Sequence, residues 1–304
     1  MTDKKKIIAV IPSRKGSKGL PRKGIKNLCG KPLLAYTIEQ AIASECFDRV
    51  IVSTDCKEIA AVAEDFGAEV PFLRPAHLAT DESYLRVALN HLLDELVERE
   101  SYHPDVMAVM FPTYPFRTLE LIRRVVRGAC EEAIWAQCVS PTDINPGMLV
   151  SPGAPYGRAV MPEGEAWPMQ PVIENDAVTQ EAHNSRRFLM LMGTIRAEVV
   201  LPKGIRNGEG NALERAAYFD RKAAEGDNRF AKKYLNIVVD NPILRIDINN
   251  ESDFLLAERV LKRGLFNPET AQGTAQETVT VTNYPDKGLT LFTERRPGFI
   301  GPSS

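Results

Sequence analysis

The segment "IPSRKGSKGLPRKGIKNL", residues 11–28, gathers six cationic side chains around three glycines and two serines. It follows the apolar run "IIAVI" (7–11), so it leaves the end of a buried strand. A loop there has free backbone N–H groups, and Gly16 and Gly19 let that backbone approach an anion closely. Arg14, Lys18, Arg22 and Lys23 are then placed to neutralise several phosphate oxygens. Charge-assisted hydrogen bonds of this kind contribute about 1.5–3 kcal/mol each. A triphosphate suits such a loop better than a single carboxylate does. The competing reading is a solvated basic turn. The position at a strand end, with glycines and cations interleaved, favours the anion site. Neither GxxxxGK[ST] nor GxGxxG is present, so this is a different phosphate loop from those two.

The charge is local. The whole chain of 304 residues has a formal net charge of -2, with Lys and Arg outnumbered by Asp and Glu. That balance excludes a generic binder of nucleic acid polymers. Five scattered cysteines form no CxxC pair, which argues against a zinc cage or disulfide framework and for a reducing compartment. No apolar run is long enough to cross a membrane, and the apolar run near the N-terminus is too short for a signal peptide. A cytoplasmic protein without membrane contact is expected. The four histidines do not cluster in sequence and receive no catalytic or metal role.

Alternating elements must hold the loop. Strands are expected at 7–11, 48–55, 105–111 and 133–140. Helices are expected at 33–44, 57–68 with Gly67 closing it, 83–100 and 118–132. Near-continuous apolar strands alternating with amphipathic helices give an α/β fold, a mainly parallel Rossmann-like sheet covered on both faces. Ligands in such sheets bind beyond the carboxyl ends of the strands. Residues 189–201 read as a return to the sheet, 203–233 as a loop plus helix, "ILRIDIN" (243–249) as a strand, and 251–264 as a helix ended by Gly264. The stretch 141–187 is rich in Pro, Gly and polar residues and reads as an excursion from a domain spanning 1–265. The tail 266–304 contains one alternating run, "ETVTVTNY", suited to an edge strand, and an end expected to be disordered.

The stretch "SRKGSKGLPRKGIKNLCGKPLLAYTIEQA" resembles the opening of the acylneuraminate cytidylyltransferase family, which makes CMP-sialic acid and related CMP-activated acid sugars. The resemblance continues through "FDRVIVSTDCKEIAAVAEDFGAEVPFLRPAHLATD" (47–81), and more weakly through "FPTYPFR" (111–117) and "LRIDINNESDF" (244–254). It implies a fold of the nucleotide-diphospho-sugar transferase type. It implies attack of an acid sugar's anomeric hydroxyl on the α-phosphate of CTP, with pyrophosphate leaving and Mg²⁺ as cofactor. By motif, Arg14 and Lys23 hold the triphosphate. Ser13, Gly16, Ser17, Lys18 and Arg22 assist, Ser53, Thr54 and Asp55 line a strand end, and Arg74 contacts the nucleotide. Thr113 and Arg117 are carried over as substrate contacts. The resemblance implies Asp247 as the metal and catalytic carboxylate, and Asn249 as a second metal residue, its amide oxygen standing where the family has a second aspartate. The bland alternatives are that Arg74 orders the loop before Pro75 and that Asp55 caps the next helix. The family's paired subunits imply a homodimer formed through 141–187.

The departures fall around the sugar. Lys23 is followed by Gly24 rather than asparagine, Phe111 stands for a glutamine, and Met190 for an arginine. Arg186 and Arg187 lie near that last position. The phosphate loop is kept while the sugar pocket is rebuilt, which points to an altered acidic sugar. Two other readings remain: a non-catalytic nucleotide-binding relative, and a nucleotidyltransferase acting on a sugar 1-phosphate.

Overall fold

The computed structural model describes residues 4–16, 19–80, 83–142, 187–191, 193–207, 212–232, 234–269, 274–282 and 290–294. The chain opens with β1 (Ile7–Pro12), the cationic loop, a 3-10 turn at Lys23–Ile25, and a small hairpin of β2 (Asn27–Leu28) and β3 (Lys31–Pro32). Then come α1 (Leu33–Ala43), β4 (Arg49–Ser53), α2 (Lys57–Asp65), α3 (Leu85–Glu100), β5 (Val106–Val109), α4 (Leu119–Glu131) and β6 (Trp135–Thr142). After these lie β7 (Arg187–Met190), β8 (Arg196–Val199), α5 (Lys203–Asn207), α6 (Ala212–Ala224), α7 (Asn228–Lys232) and β9 (Tyr234–Val239). The remaining elements are α8 (Glu251–Lys262), β10 (Thr274–Thr282) and β11 (Thr290–Glu294).

One sheet runs in the order β11-β10-β9-β6-β8-β5-β1-β4, with β7 paired to β6. Strands β4, β1, β5, β6 and β9 share one direction, and β8 lies antiparallel between β5 and β6. The shared direction sends the chain out of β1, β4 and β5 on one edge, where ligands bind in such sheets.

The apolar runs are buried on both faces, which is why they do not alternate with polar residues. In β1, Ala9 and Ile11 face a core with Leu34 and Ile38 of α1 and Ile122 and Val125 of α4. Ile8 and Val10 face the other way, onto Leu89, Leu92 and Leu96 of α3. Caps follow local chemistry. Thr118 accepts a hydrogen bond from the Leu121 N–H at 3.0 Å, and Asn250 with Asp253 forms a capping box on α8. Gly67 and Gly264 follow their helices at φ 88° and 62°, as expected for helix-ending glycines.

One expected strand is absent. "ILRIDIN" forms a 3-10 turn at Pro242–Arg245 followed by an irregular segment. Asn241 seeds the turn by accepting the Ile243 N–H at 2.9 Å, and Pro242 fixes its own φ. The strand lies earlier, at β9, whose Leu235, Ile237 and Val239 fill the core while its edge pairs with β6. Residues 203–233 carry three helices, α5, α6 and α7, rather than a loop and one helix. Phe219 and Phe230 from this region pack on Ile134. The tail extends the main sheet, but its alternating run forms β10, which is paired on both sides by β9 and β11, and β11 rather than β10 takes the edge. Most of the excursion at 141–187 and the end of the tail lie outside the described residues. Among the described residues no helix is long and apolar enough to cross a membrane.

Candidate active site

The carboxyl ends of β1, β4 and β5 open on a cleft of about 310 Å³. Its walls include Ser13, Arg14, Lys23, Gly24, Arg74, Phe111 and Thr113, with Leu78, Leu85 and Ala88 supplying apolar surface. Seven residues singled out in the sequence therefore meet in one place. Ser53 stands just behind them.

Backbone and carboxylate contacts shape the cationic loop. Ser13 N–H donates to Ser53 C=O at 3.0 Å, continuing the β1–β4 ladder one step past the strands. Lys15 N–H donates to Asp55 Oδ1 at 2.8 Å. Asp55 thus organises the loop, whereas Cys56 occupies the N-cap of α2 without a side-chain cap. Gly24 sits against Ser13, and a Cβ there would collide with Ser13 Oγ. This is why Gly24 stands after Lys23, and a side chain at 24 would need Ser13 to move. Gly19 similarly lies against the carbonyl oxygen of Asn249. Gly16 has no atom of the described residues within 4 Å of a Cβ position. Ser17 and Lys18 lie outside the described residues.

The cations differ in their surroundings. Arg74 is buried, and it donates to Ser53 C=O at 2.6 Å and to Ser53 Oγ from two nitrogens. Ser53 is thereby committed to orienting Arg74. Burial lowers the Arg74 pKa, Asp55 opposes this, and Arg14 reinforces it. Arg14 donates to Thr80 C=O at 2.5 Å, tying the loop before α3 to the cleft. Two guanidinium groups close enough to repel each other make an anion between them favourable. Lys23 donates to Ile248 C=O at 2.8 Å. Burial lowers its pKa below the usual lysine value, and Asp247 and Asp253 partly restore it. Arg22 points away, at φ 55°, and pairs with exposed Glu58.

Asp247 stands behind Lys23. Its Oδ2 accepts from Asn249 Nδ2 at 2.9 Å, and its Oδ1 is buried with no hydrogen-bond partner among the described residues. Thr113 C=O accepts from Ile248 N–H at 2.8 Å, fastening the segment after β5 to this carboxylate. Tyr114 lies close enough to Asp247 to feel its charge. Burial and then the neighbouring carboxylate push its phenol up to about 12.

Arg117 is the clearest departure from the expected site. It is fully buried and cannot touch a substrate in the cleft. Its guanidinium donates to the carbonyls of Phe111, Gly193 and Thr194 and to Thr37 Oγ1 at 3.1 Å. It holds the segment 111–117 from below, against α1 and the turn before β8. Met190 and Arg187 lie on β7, paired with Val139 and Thr142 of β6, and Arg186 is outside the described residues.

The Cytidylyltransferase family profile matches residues 8–138. The CMP-N,N'-diacetyllegionaminic acid synthase of Legionella pneumophila is 40% identical over 158 residues, covering 52% of this chain and 67% of that protein. The chain belongs to the cytidylyltransferase family. The N-acylneuraminate cytidylyltransferase of Escherichia coli is 48% identical over 112 residues, or 37% of this cytidylyltransferase and 25% of that one. A Campylobacter jejuni pseudaminic acid cytidylyltransferase is 35% identical over 132 residues, covering 43% of the chain and 55% of the relative. The chain therefore spans only part of the length of these relatives. A CMP:2-keto-3-deoxy-manno-octonic acid synthetase structure with CTP superposes with a TM-score of 0.53 at 14% identity, over 85% of this chain and 99% of that one. That similarity supports the nucleotide-diphospho-sugar transferase type of fold.

Proposed function

We propose that this cytidylyltransferase transfers CMP from CTP to the anomeric hydroxyl of an acidic nonulosonic or related sugar, releasing pyrophosphate. The observation that carries the proposal is the convergence of Arg14, Lys23 and Arg74 on one cleft at the carboxyl ends of β1, β4 and β5. The relatives named above make CMP-activated sugar acids of this class.

The chemistry asks for placement and charge neutralisation, not a protein nucleophile. Lys23, Arg14 and the loop backbone bind the triphosphate and stabilise charge building on the departing pyrophosphate. Arg74, held rigidly on Ser53, contacts the nucleotide. The sugar hydroxyl gives up its proton to solvent as its oxygen bonds to the α-phosphorus, and the bond from that phosphorus to the α–β bridging oxygen breaks, with pyrophosphate leaving with the electron pair. The residues fit Mg²⁺, which binds through one or two carboxylates together with substrate phosphates. Asp247 offers a buried oxygen without a partner, and no group of three or more His, Cys, Asp or Glu stands together among the described residues. When bound, Mg²⁺ supplies positive charge to the phosphates. Asn249 turns its amide nitrogen to Asp247 and so braces the carboxylate in this arrangement. Homodimerisation through the segment 141–187 remains part of this proposal.

Pyrophosphate release with Mg²⁺, CTP and a panel of nonulosonic and octulosonic acids tests the function. Release with CTP and one sugar acid, and none with ATP, GTP or UTP, is expected. Silence across the panel, with CTP bound, would favour the non-catalytic relative.

Two further outcomes follow from the geometry. In free enzyme the lowered Lys23 pKa means its cation is lost at a pH below the ordinary lysine value of 10.5. The kcat/KM for CTP should therefore fall on the alkaline side before that pH, and Lys23→Arg should remove this limb of the profile. Gly19→Ala should push the cationic loop off the Asn249 carbonyl. A drop of about tenfold in CTP affinity, read by calorimetry, is expected from one displaced charge-assisted contact.

A further inference from the structure

The two walls of the cleft come from distant parts of the chain. Ser13, Arg14, Lys23 and Gly24 belong to the cationic loop, and Phe111, Pro112 and Thr113 to the segment after β5. Helix α1 is bonded to both. At its start Leu33 N–H donates to Lys26 C=O at 2.9 Å, and the Tyr36 hydroxyl donates to Leu28 C=O at 2.6 Å, so the helix is fastened to the end of the loop. Two turns on, Gln40 Nε2 donates to Pro115 C=O at 2.6 Å, and Gln40 Oε1 accepts from the Arg117 guanidinium at 3.4 Å. From Leu33 to Gln40 the helix rises about 10 Å, a rigid strut from one wall to the other.

The walls are joined a second time. Lys23 Nζ donates to Ile248 C=O, and Ile248 N–H donates to Thr113 C=O, both at 2.8 Å. The loop, α1, segment 111–117 and Ile248 therefore form a closed ring of bonded segments that carries both walls. Lys23 closes the ring at the cleft, whereas Gln40 closes it from behind and does not line the cleft. Gln40 is buried beside Leu33, Leu34, Ile38 and Ala41 of its own helix, where an apolar side chain would need no partners. Its amide is accounted for by the backbone it holds.

We propose that Gln40 is a positioning residue for nucleotide binding: acting through Pro115, it sets segment 111–113 at the spacing from Arg14 and Lys23 that lets both walls engage the nucleotide together. The inference rests on the cytidylyltransferase reading of the cleft. Losing the alignment of one charge-assisted phosphate contact costs affinity on the order of tenfold.

The test is calorimetric titration of the full chain with CTP, well below the unfolding midpoint, beside thermal unfolding. Gln40→Met keeps the length of the side chain and removes its amide. It should raise the CTP dissociation constant about tenfold. Ala41→Gly, buried on the same turn with a side chain that bonds neither wall, is the control. It should lower the midpoint and leave the CTP dissociation constant at the wild-type value. A merely stabilising role for Gln40 predicts instead that the two variants bind CTP alike. Gln40→Glu keeps an acceptor for Arg117 and, ionised beside that guanidinium, has no donor for Pro115 C=O. It should match Gln40→Met, and it decides the question if Gln40→Met does not fold. Wild-type CTP affinity in the Gln40 variants, or equal weakening in Ala41→Gly, overturns the proposal and leaves the cytidylyltransferase reading standing. Wild type that binds no CTP overturns both.

Discussion

Asp247→Ala should lower kcat by about 10³-fold while metal-free CTP binding stays near wild type, since losing a group aimed at developing charge costs on that scale. Three loops converge on this carboxylate. Lys23 bonds the backbone of Ile248, Thr113 bonds the same residue from the β5 side, and Gly19 packs on Asn249. Arg14, Lys23 and Arg74 line the cleft and Asp247 does not, so removing the acid leaves the phosphate cations in place. Stability should change little. Asn249 is exposed and can turn to water, and Oδ1 of Asp247 has no hydrogen bond among the described residues to lose. Steady-state kinetics with saturating CTP, beside calorimetry in EDTA, separates the two effects. Undiminished kcat would place the metal elsewhere and would suit a carboxylate that only shapes the loop.

The second large effect is on folding. Arg117→Met should destabilise the protein by about 3–5 kcal/mol, the range for removing one partner from a buried charged network. The fully buried guanidinium satisfies carbonyls of Phe111, Gly193 and Thr194 together with Thr37 and Gln40 of α1. Burial pulls its pKa down, which is the cost of keeping a cation there, and the surrounding acceptors offset that cost. Methionine fills part of the volume but leaves Thr194 C=O without its donor, while Phe111 C=O and Gly193 C=O keep only the N–H groups of Tyr114 and Phe111. The thermal midpoint should drop by about 10 °C, given the usual scaling for domains of this size. Arg117→Lys should recover only part of this, because one ammonium cannot reach both sides of the fork. An unchanged midpoint with lost substrate binding would return Arg117 to the cleft.

These two residues show where sequence reasoning reaches and where it stops. The motif places Arg117 among the substrate contacts. Nothing in "FPTYPFR" says that Arg117 is fully buried, because that depends on the carbonyls of Gly193 and Thr194, more than 70 residues away in sequence. The cationic loop, by contrast, was legible. Its strand, glycines and charges are contiguous, so local sequence specifies their meeting. The β1, α1, β4 and α2 elements follow from apolar runs buried on both faces and from helical spacing, and they stand within a few residues of their expected places. The strand expected at "ILRIDIN" failed because Asn241 and Pro242 make a turn locally, while the less conspicuous "YLNIVV" gained its place by pairing with β6. Asp247, carried by the irregular segment before α8, stands beside Lys23 but does not itself line the cleft. The role of Asp55 depends on a contact with Lys15, 40 residues away in sequence, and no local pattern announces it.

The measurement that bears most directly on the account is a calorimetric titration of the wild-type protein and Lys23→Met with CTP. The account predicts saturable binding of CTP by wild type. It predicts a loss of about 10–100-fold in Lys23→Met, as expected for one desolvated charge-assisted phosphate contact. Absence of CTP binding by wild type, or equal affinity in Lys23→Met, would contradict the assignment of the glycine-cation loop as a triphosphate site.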